Sequence, residues 1–594
     1  MSSITFVTSF FYIYEREYDE KKTIPWRIER FREIARTGIK LCIYVCPILE
    51  KYIKLLCEEF PDNIQLMKTI SIEDTIVGRL VSEINYESSA DGTEPLSLPN
   101  KKNVTKDVSD YMIVINSKTE FMAHTVENNP WNSTHFAWID FNISHVFFDK
   151  PLSIEYLTIL GKRDYFEPNC FVIPGCWDKY NNEYIGHIIE TIHWRFCGGF
   201  LLGDAMSILK FHELYNHYLP LFLKEYRRLV WEVNFWAWLE ANSDWNPKWY
   251  KADHNDTIIN SMWAATFSQS LKSQGSEVFQ YDYPKVDGYN PSSAAYLFHK
   301  GKHLLNTRYV NYWYYNNGGY MFYDGTNIIR TKNVFSNLNY AEGCAPEYQR
   351  LIPQSYTEME ETIDLPKHDF YSRGIEDLRL YAVGDKVKYI ATTVGYHTTC
   401  GNRMVIGDYC IDTFNYANSF LVHPPTETFL EKNWIPLVLN NPASPYHERE
   451  LFIYRWGPLE IGEIYDDPET NTKKLEIIQS YPETALAPFF KKMRGSALMV
   501  DTGKSLIGVI HFSEETKPRH YFHVMIELDR TTLEPLRYSD PFYFESVNIE
   551  FCIGFDIKED NYWFWISRMD RDPLLIKMNR EKIPFTRTFP KIET

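Results

Sequence analysis

The sequence predicts a multidomain protein in which an N-terminal α/β domain with a mainly parallel sheet precedes a C-terminal all-β domain. The chain has 594 residues, more than one ordinary hydrophobic core accommodates. Short apolar strands alternate with amphipathic helices in the first half, and short aromatic strands separated by turns fill the second half. Helical periodicity is lost over residues 267–300, so we place the two domains at residues 1–290 and 300–594.

Strands and helices of the first half follow one another in a regular order. The predicted elements begin with a strand over 4–13, a helix over 24–38, a strand over 40–47, a helix over 48–60 and a strand over 63–70. Residues 84–108 are polar and rich in turn formers, which predicts an exposed excursion. Next come a strand or helix leading into a helix over 111–131, a strand over 136–141, and a strand, a glycine turn and a long helical stretch over 187–243.

The second half contains almost no helical pattern. Its clearest strands cover residues 309–323, 386–396, 451–461, 506–515, 519–529 and 561–570. Short strands with regular turns are typical of an all-β sandwich, barrel or propeller. Similar polar segments recur near residues 374, 430, 494 and 549, and a repeat of about 40–50 residues is typical of four-stranded propeller blades.

Composition and charge exclude several classes of protein. The net charge of −17 argues against a nucleic-acid partner, because binding a phosphate backbone needs a concentrated positive surface. No apolar segment has the length of a membrane span, and the N-terminus lacks the basic region of a signal peptide. The ten scattered cysteines favour free thiols in a reducing compartment. We therefore expect a soluble cytoplasmic protein, in the host cytoplasm if its source is viral.

The stretch THFAWIDFNISHV contains the first candidate for chemistry. Asp140 follows an apolar strand, and ligands bind at the carboxyl ends of strands in parallel α/β sheets. A carboxylate there can hold a divalent cation that bridges the two phosphates of a nucleotide diphosphate. A cap at the end of the strand is the alternative explanation for a single acid.

Three further motifs follow along the chain. Gly198 and Gly199 interrupt an apolar run and permit close approach of the backbone to a ligand, or they form a plain turn. Glu232 begins an aromatic helix, where it acts on an acceptor hydroxyl or lies on a solvated face. His254, flanked by acids, completes a cation site from a distant loop or has a structural role.

The order of these motifs resembles the bacterial glycan-locus family HtrL/YibB, which looks like a glycosyltransferase of the A-type (GT-A) fold. The resemblance covers about the first 260 residues, and its motifs include Trp138-Ile139-Asp140 and the Gly-Gly-Phe segment at 198–200. It implies that Asp140 and Glu232 are catalytic. It further implies that Thr8, Ser9 and Lys118 contact the nucleotide.

The same resemblance implies a metal ion and a nucleotide sugar. Mn²⁺ or Mg²⁺ would be held by Asp140, Asn142 and His254, with a uridine diphosphate sugar as donor. Many A-type transferases carry Asp-x-Asp, whereas Asn142 stands at the second position of this chain. An amide oxygen supplies less charge to a hard cation than a carboxylate does.

The second half resembles the five-bladed β-propellers shared by several glycosidase and glycoside phosphorylase families. The matching segments include Glu376-Asp377-Leu378-Arg379-Leu380 and Arg494-Gly495-Ser496. The side chains expected in a central funnel are Glu376, Asp377, Arg494, His511 and Glu550, with Glu376 and Glu550 as catalytic acids and Arg494 and His511 as phosphate ligands. Alternatively, these charges pair with each other and hold the blades together.

We therefore expect a glycosyltransferase that moves a sugar from a nucleotide diphosphate sugar to a glycan or glycoprotein acceptor. Two alternatives remain: a glycoside hydrolase or phosphorylase centred on the propeller, and a non-catalytic protein that binds glycans. The Tyr- and Asn-rich composition resembles that of large DNA viruses that encode their own glycan machinery. The sequence does not indicate the oligomeric state.

Overall fold

The chain forms two compact units, Met1–Thr266 and Phe267–Thr594, in the computed structural model. The structure describes residues 4–13, 23–161, 169–316, 318–340, 351–439, 441–470, 472–481, 488–514, 516 and 518–589, with the side chains of 263–267 omitted. The boundary precedes the expected one at 290–300. Residues 269–270 and 277–280 belong to the second unit because they pair with strands near the C-terminus.

A seven-stranded sheet forms the centre of the N-terminal unit. Its strands are β1 (Ile4–Phe10), β2 (Leu41–Val45), β3 (Ile64–Thr69), β4 (His135–Ile139), β5 (Phe171–Gly175), β6 (Phe200–Asp204) and β7 (Lys248–Lys251). They lie in the order β3-β2-β1-β4-β6-β5-β7. Only β6 runs antiparallel to its neighbours, so the sheet is mainly parallel, as the sequence predicts.

Helices connect these strands. They are α1 (Ile24–Ala35), α2 (Glu50–Glu59), α3 (Ile76–Asp91), α4 (Ser109–Asn116), α5 (Lys118–Asn128), α6 (Lys150–Gly161), α7 (Gly186–Ile189), α8 (Ala205–Tyr226), α9 (Glu232–Asn242) and α10 (Thr257–Phe267). The excursion predicted over 84–108 is wrong for its first eight residues, which continue α3. That helix is capped by the Thr75 side chain and ends at Gly92, whose φ of 74° is left-handed.

The central strands β2 and β4 are largely apolar, with His135 at the start of β4 as a polar residue. Every residue of β2 and β4 is buried. The ring of Phe141, just after β4, stacks between Phe10 and Phe31 at centroid distances of 4.3 and 4.0 Å. This packing fixes the backbone on the C-terminal side of Asp140. None of the helices over the described residues combines the length and apolar character needed to cross a membrane.

The C-terminal unit is all-β, as predicted. Its strands are β8 (Gln269–Ser270), β9 (Glu277–Gln280), β10 (Asn290–His299), β11 (Lys302–Val310), β12 (Tyr312–Tyr314), β13 (Tyr320–Phe322), β14 (Ile329–Tyr340), β15 (Leu351–Pro353), β16 (Thr357–Glu358), β17 (Ser372–Arg373), β18 (Glu376–Val383), β19 (Lys386–Thr393), β20 (Arg403–Cys410), β21 (Asn415–His423), β22 (Ile435–Val438), β23 (Glu450–Trp456), β24 (Leu459–Asp467), β25 (Thr472–Tyr481), β26 (Arg494–Gly495), β27 (Val500–Asp501), β28 (Ser505–Glu514), β29 (His520–Asp529), β30 (Pro535–Tyr538), β31 (Phe542–Tyr543), β32 (Glu550–Lys558), β33 (Asn561–Arg568), β34 (Asp572–Asn579) and β35 (Arg587–Thr588). Beyond the end of α10, the described residues of this unit form only strands, short 3-10 turns and loops.

Most of these strands pair as antiparallel four-stranded units. One contains β10, β11, β14 and β15, and another contains β26, β28, β29 and β30. Two more, β18 to β21 and β22 to β25, join through the parallel pair β21–β25. The last contains β32, β33, β34 and β9. Because β9 comes from the start of this unit, the final sheet is closed by a strand that lies far away in the sequence.

Candidate functional site

The carboxyl end of β4 meets the segment that precedes β6. Because these strands are antiparallel, the amino end of β6 lies at the same edge of the sheet as Asp140. The backbone N–H of Asp140 donates to the carbonyl of Gly199 at 3.0 Å. Sheet pairing thus places Asp140 beside the Gly198-Gly199 pair. The fold brings together two motifs that are about 60 residues apart in the sequence.

Lys118 is the centre of this site. Its ammonium nitrogen lies 2.8 Å from Glu232 Oε1, 3.2 Å from Asp140 Oδ1 and 2.7 Å from the carbonyl oxygen of Gly198. Asp140 Oδ1 also accepts from the indole N–H of Trp138 at 2.8 Å. The structure therefore brings together four of the residues predicted for the nucleotide-sugar site.

The two acids beside Lys118 differ in access to solvent. The Lys118 and Glu232 side chains are only 6% and 7% exposed, whereas the Asp140 side chain is 47% exposed. Burial acts to lower the pKa of Lys118, but the charges of Asp140 and Glu232 outweigh it and raise that pKa above its ordinary value. Lys118 is therefore a charged ammonium group, and Asp140 is the acid that a ligand can reach.

Close approach requires glycine at 198 and leaves little room for a side chain at 199. A Cβ atom on Gly198 would lie 2.2 Å from Glu232 Oε1 and 3.2 Å from Lys118 Nζ. One on Gly199 would lie 3.0 Å from Ile143 Cδ1 and 3.5 Å from Asp140 Oδ2. A side chain at 198 would displace the ion pair, and one at 199 would press on Ile143 and contact Asp140 Oδ2.

The residues predicted on β1 lie near the carboxyl end of that strand. Thr8 is fully buried, and its hydroxyl has no hydrogen-bond partner among the described residues. Ser9 is half-buried and pairs in register with Tyr44 of β2. The contacts of these two residues do not include the Lys118 cluster within the described part of the chain.

The proposed cation ligands beyond Asp140 have other partners. With its amide oriented to satisfy both groups, Asn142 donates to the Arg27 carbonyl at 3.1 Å and accepts from Arg27 Nη1 at 3.3 Å. His254 packs on Trp194, with ring centroids 3.8 Å apart, and its Nδ1 lies 3.8 Å from Cys176 Sγ. Asp140 alone offers an accessible oxygen, which fits a Mg²⁺-like ion that takes its other ligands from phosphates and water. Asn142 and His254 do not fit that role.

Two contacts of this site were missed by sequence reasoning. The Trp138 indole holds Asp140, and the only signal was its place in the Trp-Ile-Asp motif. Asn234 had no signal in the sequence beyond its place near Glu232, yet it is fully buried and donates to the carbonyls of Ile188 and Thr191 at 2.7 Å each. Asn234 thereby ties the start of α9 to the segment that leads to the glycine pair.

A second polar cluster lies in the C-terminal unit, around the buried Arg308. Its guanidinium is 3.3 Å from Glu376 Oε2, 3.4 Å from Asp377 Oδ1 and 3.8 Å from Asp570 Oδ1. Asp377 adopts a left-handed φ of 50°, which turns its carboxylate away from the regular strand. Glu376 and Asp377 were predicted for a central funnel, whereas Arg308 and Asp570 carried no recognisable signal in the sequence.

A recess adjoins this cluster through the consecutive residues Asp570 and Arg571. Its volume is about 470 Å³, and it is lined by Trp313, Tyr315, Asn316 and Arg571. The Arg571 guanidinium lies 4.6 Å from the centroid of the Trp313 ring. Aromatic rings beside fixed polar groups suit a sugar, which has both apolar faces and hydroxyl edges.

The other predicted funnel residues are Arg494, His511 and Glu550, and no ion pair joins them to the Arg308 cluster within the described part of the chain. Arg494 is exposed and pairs in register with His511. His511 is buried against Ser496, 2.8 Å from its hydroxyl, and burial lowers its pKa well below the ordinary value. Glu550 is fully buried and its carboxylate accepts from the backbone N–H groups of residues 544–546 at 2.7 to 3.2 Å. These contacts give His511 and Glu550 structural partners.

One family model matches part of the N-terminal unit. It is HtrL_YibB, described as a bacterial protein of unknown function, and it matches residues 60–226. This range contains Lys118, Asp140 and both glycines, and it ends before Glu232. No curated protein matches the chain in a sequence search.

Three solved carbohydrate-active enzymes give partial matches to the chain, all with low TM-scores. A β-1,2-mannobiose phosphorylase from Listeria innocua has 11% identity and a TM-score of 0.33, covering 52% of this chain and 98% of its own. A mannose phosphorylase from Leishmania mexicana has 12% identity and a TM-score of 0.30, covering 54% and 95%. A GDP-Man-dependent mannosyltransferase from Leishmania mexicana has 10% identity and a TM-score of 0.30, covering 51% and 90%. TM-scores this low support no conclusion about function, which has to be argued from the side chains of this protein.

Proposed function

We propose that the protein is a glycosyltransferase of GT-A type that moves a sugar from a nucleotide diphosphate sugar, of the uridine class, to a glycan or glycoprotein acceptor. The observation that carries this proposal is the Lys118–Asp140–Glu232 cluster at the carboxyl edge of a mainly parallel sheet. Ligands of such sheets bind at this edge. The missing side chain of Gly198 lets Glu232 and Lys118 pack against the backbone of this segment.

Each residue of the cluster has a distinct task in this proposal. Asp140 contacts the donor, because it is the accessible acid. Glu232 is a positioning residue, since its buried carboxylate holds the Lys118 ammonium against the Gly198 carbonyl. In the transfer, the acceptor oxygen bonds to the anomeric carbon as the bond to the diphosphate breaks, the nucleoside diphosphate leaves with that electron pair, and the acceptor proton passes to water. The positive charge of Lys118 offsets negative charge on the diphosphate.

A divalent cation fits this proposal through Asp140 alone among the predicted ligands. When bound, Mn²⁺ or Mg²⁺ would supply charge neutralisation at the diphosphate. Asp140 would hold it through the oxygen that faces away from Lys118, with the phosphates and water completing its shell. We accordingly expect nucleotide binding to strengthen when manganese is added.

The proposal is tested with the full chain and a panel of uridine and guanosine diphosphate sugars. We expect one donor to raise the melting temperature with manganese and to release its nucleoside diphosphate when an acceptor glycan is present. Asp140→Ala should lower kcat/KM by at least about 100-fold, equivalent to about 2.7 kcal/mol, with the fold intact because the side chain is half-exposed. Asp62→Asn, at an exposed acid of the same unit, is the matched control. Undiminished turnover by Asp140→Ala would contradict the assignment of Asp140 to the donor site.

A second candidate function belongs to the C-terminal unit, which we propose as a five-bladed propeller that binds or processes glycan. The specific observation is the convergence of Glu376, Asp377 and Asp570 on Arg308 beside the aromatic recess. An acid near a sugar would support hydrolysis, and an arginine would support phosphorolysis, because guanidinium groups match phosphate oxygens. Glycan binding without chemistry is the simplest form of this function.

Mannosides and other glycosides, incubated with and without phosphate, separate these possibilities. Sugar phosphate formed only with phosphate present indicates phosphorolysis, and free sugar indicates hydrolysis. Either activity should survive Asp140→Ala and be lost in Asp377→Asn. Asparagine tolerates the left-handed backbone at this position. A product that persists in Asp377→Asn contradicts this role, and glycan binding without any product leaves the unit a binding module.

A further inference from the structure

Two cysteines and a histidine gather at the edge of the N-terminal sheet, apart from the Lys118 cluster. Cys176 follows the last residue of β5, Cys197 precedes the glycine pair before β6, and His254 follows β7. Strands β5 and β7 are parallel and β6 is antiparallel to β5, so these three ends lie at the same edge. The topology therefore brings together side chains that are up to 78 residues apart.

The distances among the three side chains are close to those of a metal site. Cys176 Sγ lies 3.4 Å from Cys197 Sγ and 3.8 Å from His254 Nδ1, and all three ligand atoms lie within 4.8 Å of one another. A tetrahedral zinc ion, with Zn–S bonds of about 2.3 Å and Zn–N bonds of about 2.1 Å, separates its sulfur ligands by about 3.8 Å and sulfur from nitrogen by about 3.6 Å. The Cys176–Cys197 and Cys176–His254 separations would change by a few tenths of an ångström, and the Cys197–His254 separation by at most about 1.2 Å.

The backbone holds both sulfur atoms in place. The Cys176 N–H donates to the Trp194 carbonyl at 3.1 Å, and the Cys197 N–H donates to the Pro174 carbonyl at 2.8 Å. The Ala252 N–H donates to the Gly175 carbonyl at 2.8 Å, which ties the chain before His254 to the same edge. The site is therefore anchored on three strand ends, as a rigid ligand set requires.

Burial also suits a cation with one open position. Cys176 and Cys197 are 8% and 1% exposed, so the thiols are inside the unit. The His254 side chain is 41% exposed, and its Nδ1 lies 3.7 Å from Asp253 Oδ1. Because His254 and Asp253 are both accessible to solvent, water or the Asp253 carboxylate could supply the fourth ligand. Two thiolates would neutralise the charge of a divalent ion in this partly buried place.

We propose that Cys176, Cys197 and His254 form a zinc-type site for a soft divalent cation. This site is separate from the hard-cation role of Asp140, because thiolate and imidazole ligands select zinc rather than magnesium or manganese. Bound metal fixes Cys197, whose neighbour Gly198 offers its carbonyl to Lys118 at 2.7 Å. The site is thus a clamp on the glycine segment, and its existence does not depend on which sugar the protein handles.

The full chain, reduced and stripped of metal, is titrated with Co²⁺ and then with Zn²⁺. We expect one Co²⁺ per chain, with thiolate-to-cobalt charge-transfer bands and the intense visible bands of a tetrahedral ion, followed by displacement by Zn²⁺. Cys176→Ser and Cys197→Ser should each abolish the charge-transfer bands or reduce them by half or more, and His254→Ala should weaken binding at least 10-fold. Cys57→Ser, at a half-buried thiol of α2, is the matched control and should bind normally.

A second measurement uses the wild-type chain alone, in case a variant does not fold. Zinc should protect two thiols from alkylation, identified by mass spectrometry as Cys176 and Cys197, and a chelator should remove that protection. The proposal is overturned if the reduced, folded chain binds no cobalt. It is equally overturned if the cysteine variants bind as much as the wild type, or if zinc leaves the alkylation of both thiols unchanged.

Discussion

At the scale of single residues, Lys118 determines what the acids of the N-terminal site can do. A buried carboxylate without a partner is costly, and Glu232 is held by the Lys118 ammonium at 2.8 Å. Asp140 shares the same cation but keeps its other oxygen open. One lysine therefore stabilises a buried acid and also orients an exposed one.

Removing the charge of Lys118 should destabilise the N-terminal unit. Lys118→Met leaves Glu232 buried and unpaired, so we expect a loss of about 3 kcal/mol in the free energy of unfolding. The double variant Lys118→Met/Glu232→Gln should recover most of that loss, because a neutral amide is cheaper to bury. Urea denaturation measures both. A double variant as unstable as the single one would show that the ion pair is not the cause.

His523 should make the C-terminal unit sensitive to acid. It is fully buried, and burial lowers its pKa to about 3. Its Nε2 pairs with the Glu550 carbonyl at 2.8 Å, while Nδ1 has no partner among the described residues. Protonation at Nδ1 would bury an unpaired N–H. The folded pKa lies below the unfolded value of about 6.5, so stability is present above pH 6.5 and is lost as pH falls.

The size of this effect follows from proton linkage. His523 should contribute a loss of about 1.4 kcal/mol per pH unit below pH 6.5, or about 2 kcal/mol at pH 5. His523→Gln, which keeps a donor for the Glu550 carbonyl, should flatten the pH dependence of the unfolding free energy by that amount. Denaturant melts from pH 7 to pH 5 provide the comparison, and equal slopes for variant and wild type would contradict the assignment.

At the scale of elements, α9 is buried along almost its whole length. Its residues from Glu232 to Glu240 are all buried, so it has no solvated face. Charges at its two ends are neutralised from outside the helix, by Lys118 at one end and by Arg195 at the other. Arg195 forms two bonds of 2.7 Å to Glu240 and lies 4.2 Å from the Trp249 ring centroid.

The Arg195–Glu240 pair should matter mainly for stability. Both side chains are 2% exposed, so Arg195→Met leaves a buried carboxylate without its partner. We expect a cost of about 3–5 kcal/mol in the unfolding free energy, and a smaller cost when Glu240→Gln is combined with it. A double-mutant cycle by chemical denaturation measures the coupling. Additive costs from the two substitutions would mean that the pair has no coupling.

Elements were predictable where local pattern and fold agree. Strand β4, with its apolar run ending at Asp140, and the start of α9 at Glu232 were both visible in the sequence. Residues 84–91 were misassigned because most of them are polar and exposed, although Ile84 and Ser88 continue the buried face of helix α3. The Cys176–Cys197–His254 cluster was not predicted, because the order of the strands in the sheet brings these residues together and no local sequence motif marks them.

At the scale of the whole molecule, the chain contains two separately packed units. Each has its own buried core. The core of the first unit is built on its sheet, and the second unit has several buried clusters, such as the one around Phe564 and Ile576. The class of each unit was predictable from the period of its apolar residues. The pairing of β9 with β34 was not, because nothing local marks partners that lie about 300 residues apart.

Two units with separate cores should unfold in two steps. Calorimetry of the full chain should show two transitions, and a bound nucleotide sugar should raise the temperature of only one, because a ligand stabilises the unit that binds it. Asp140→Ala should remove that shift and leave the other transition unchanged. A single transition that moves as a whole with ligand would mean that the units unfold cooperatively.

The closing strand β9 also has a consequence for synthesis on the ribosome. Residues 277–280 emerge long before residues 572–579, with which they pair. The first unit can complete its sheet while translation continues. In the second unit, β9 cannot pair until β34 has been synthesised. Until β34 is made, the edges of β9 have no partner strand from that sheet, and an unpaired strand edge is the part of a nascent chain most prone to aggregation. Slow elongation across the second unit would lengthen that exposure, and chaperone demand should concentrate there.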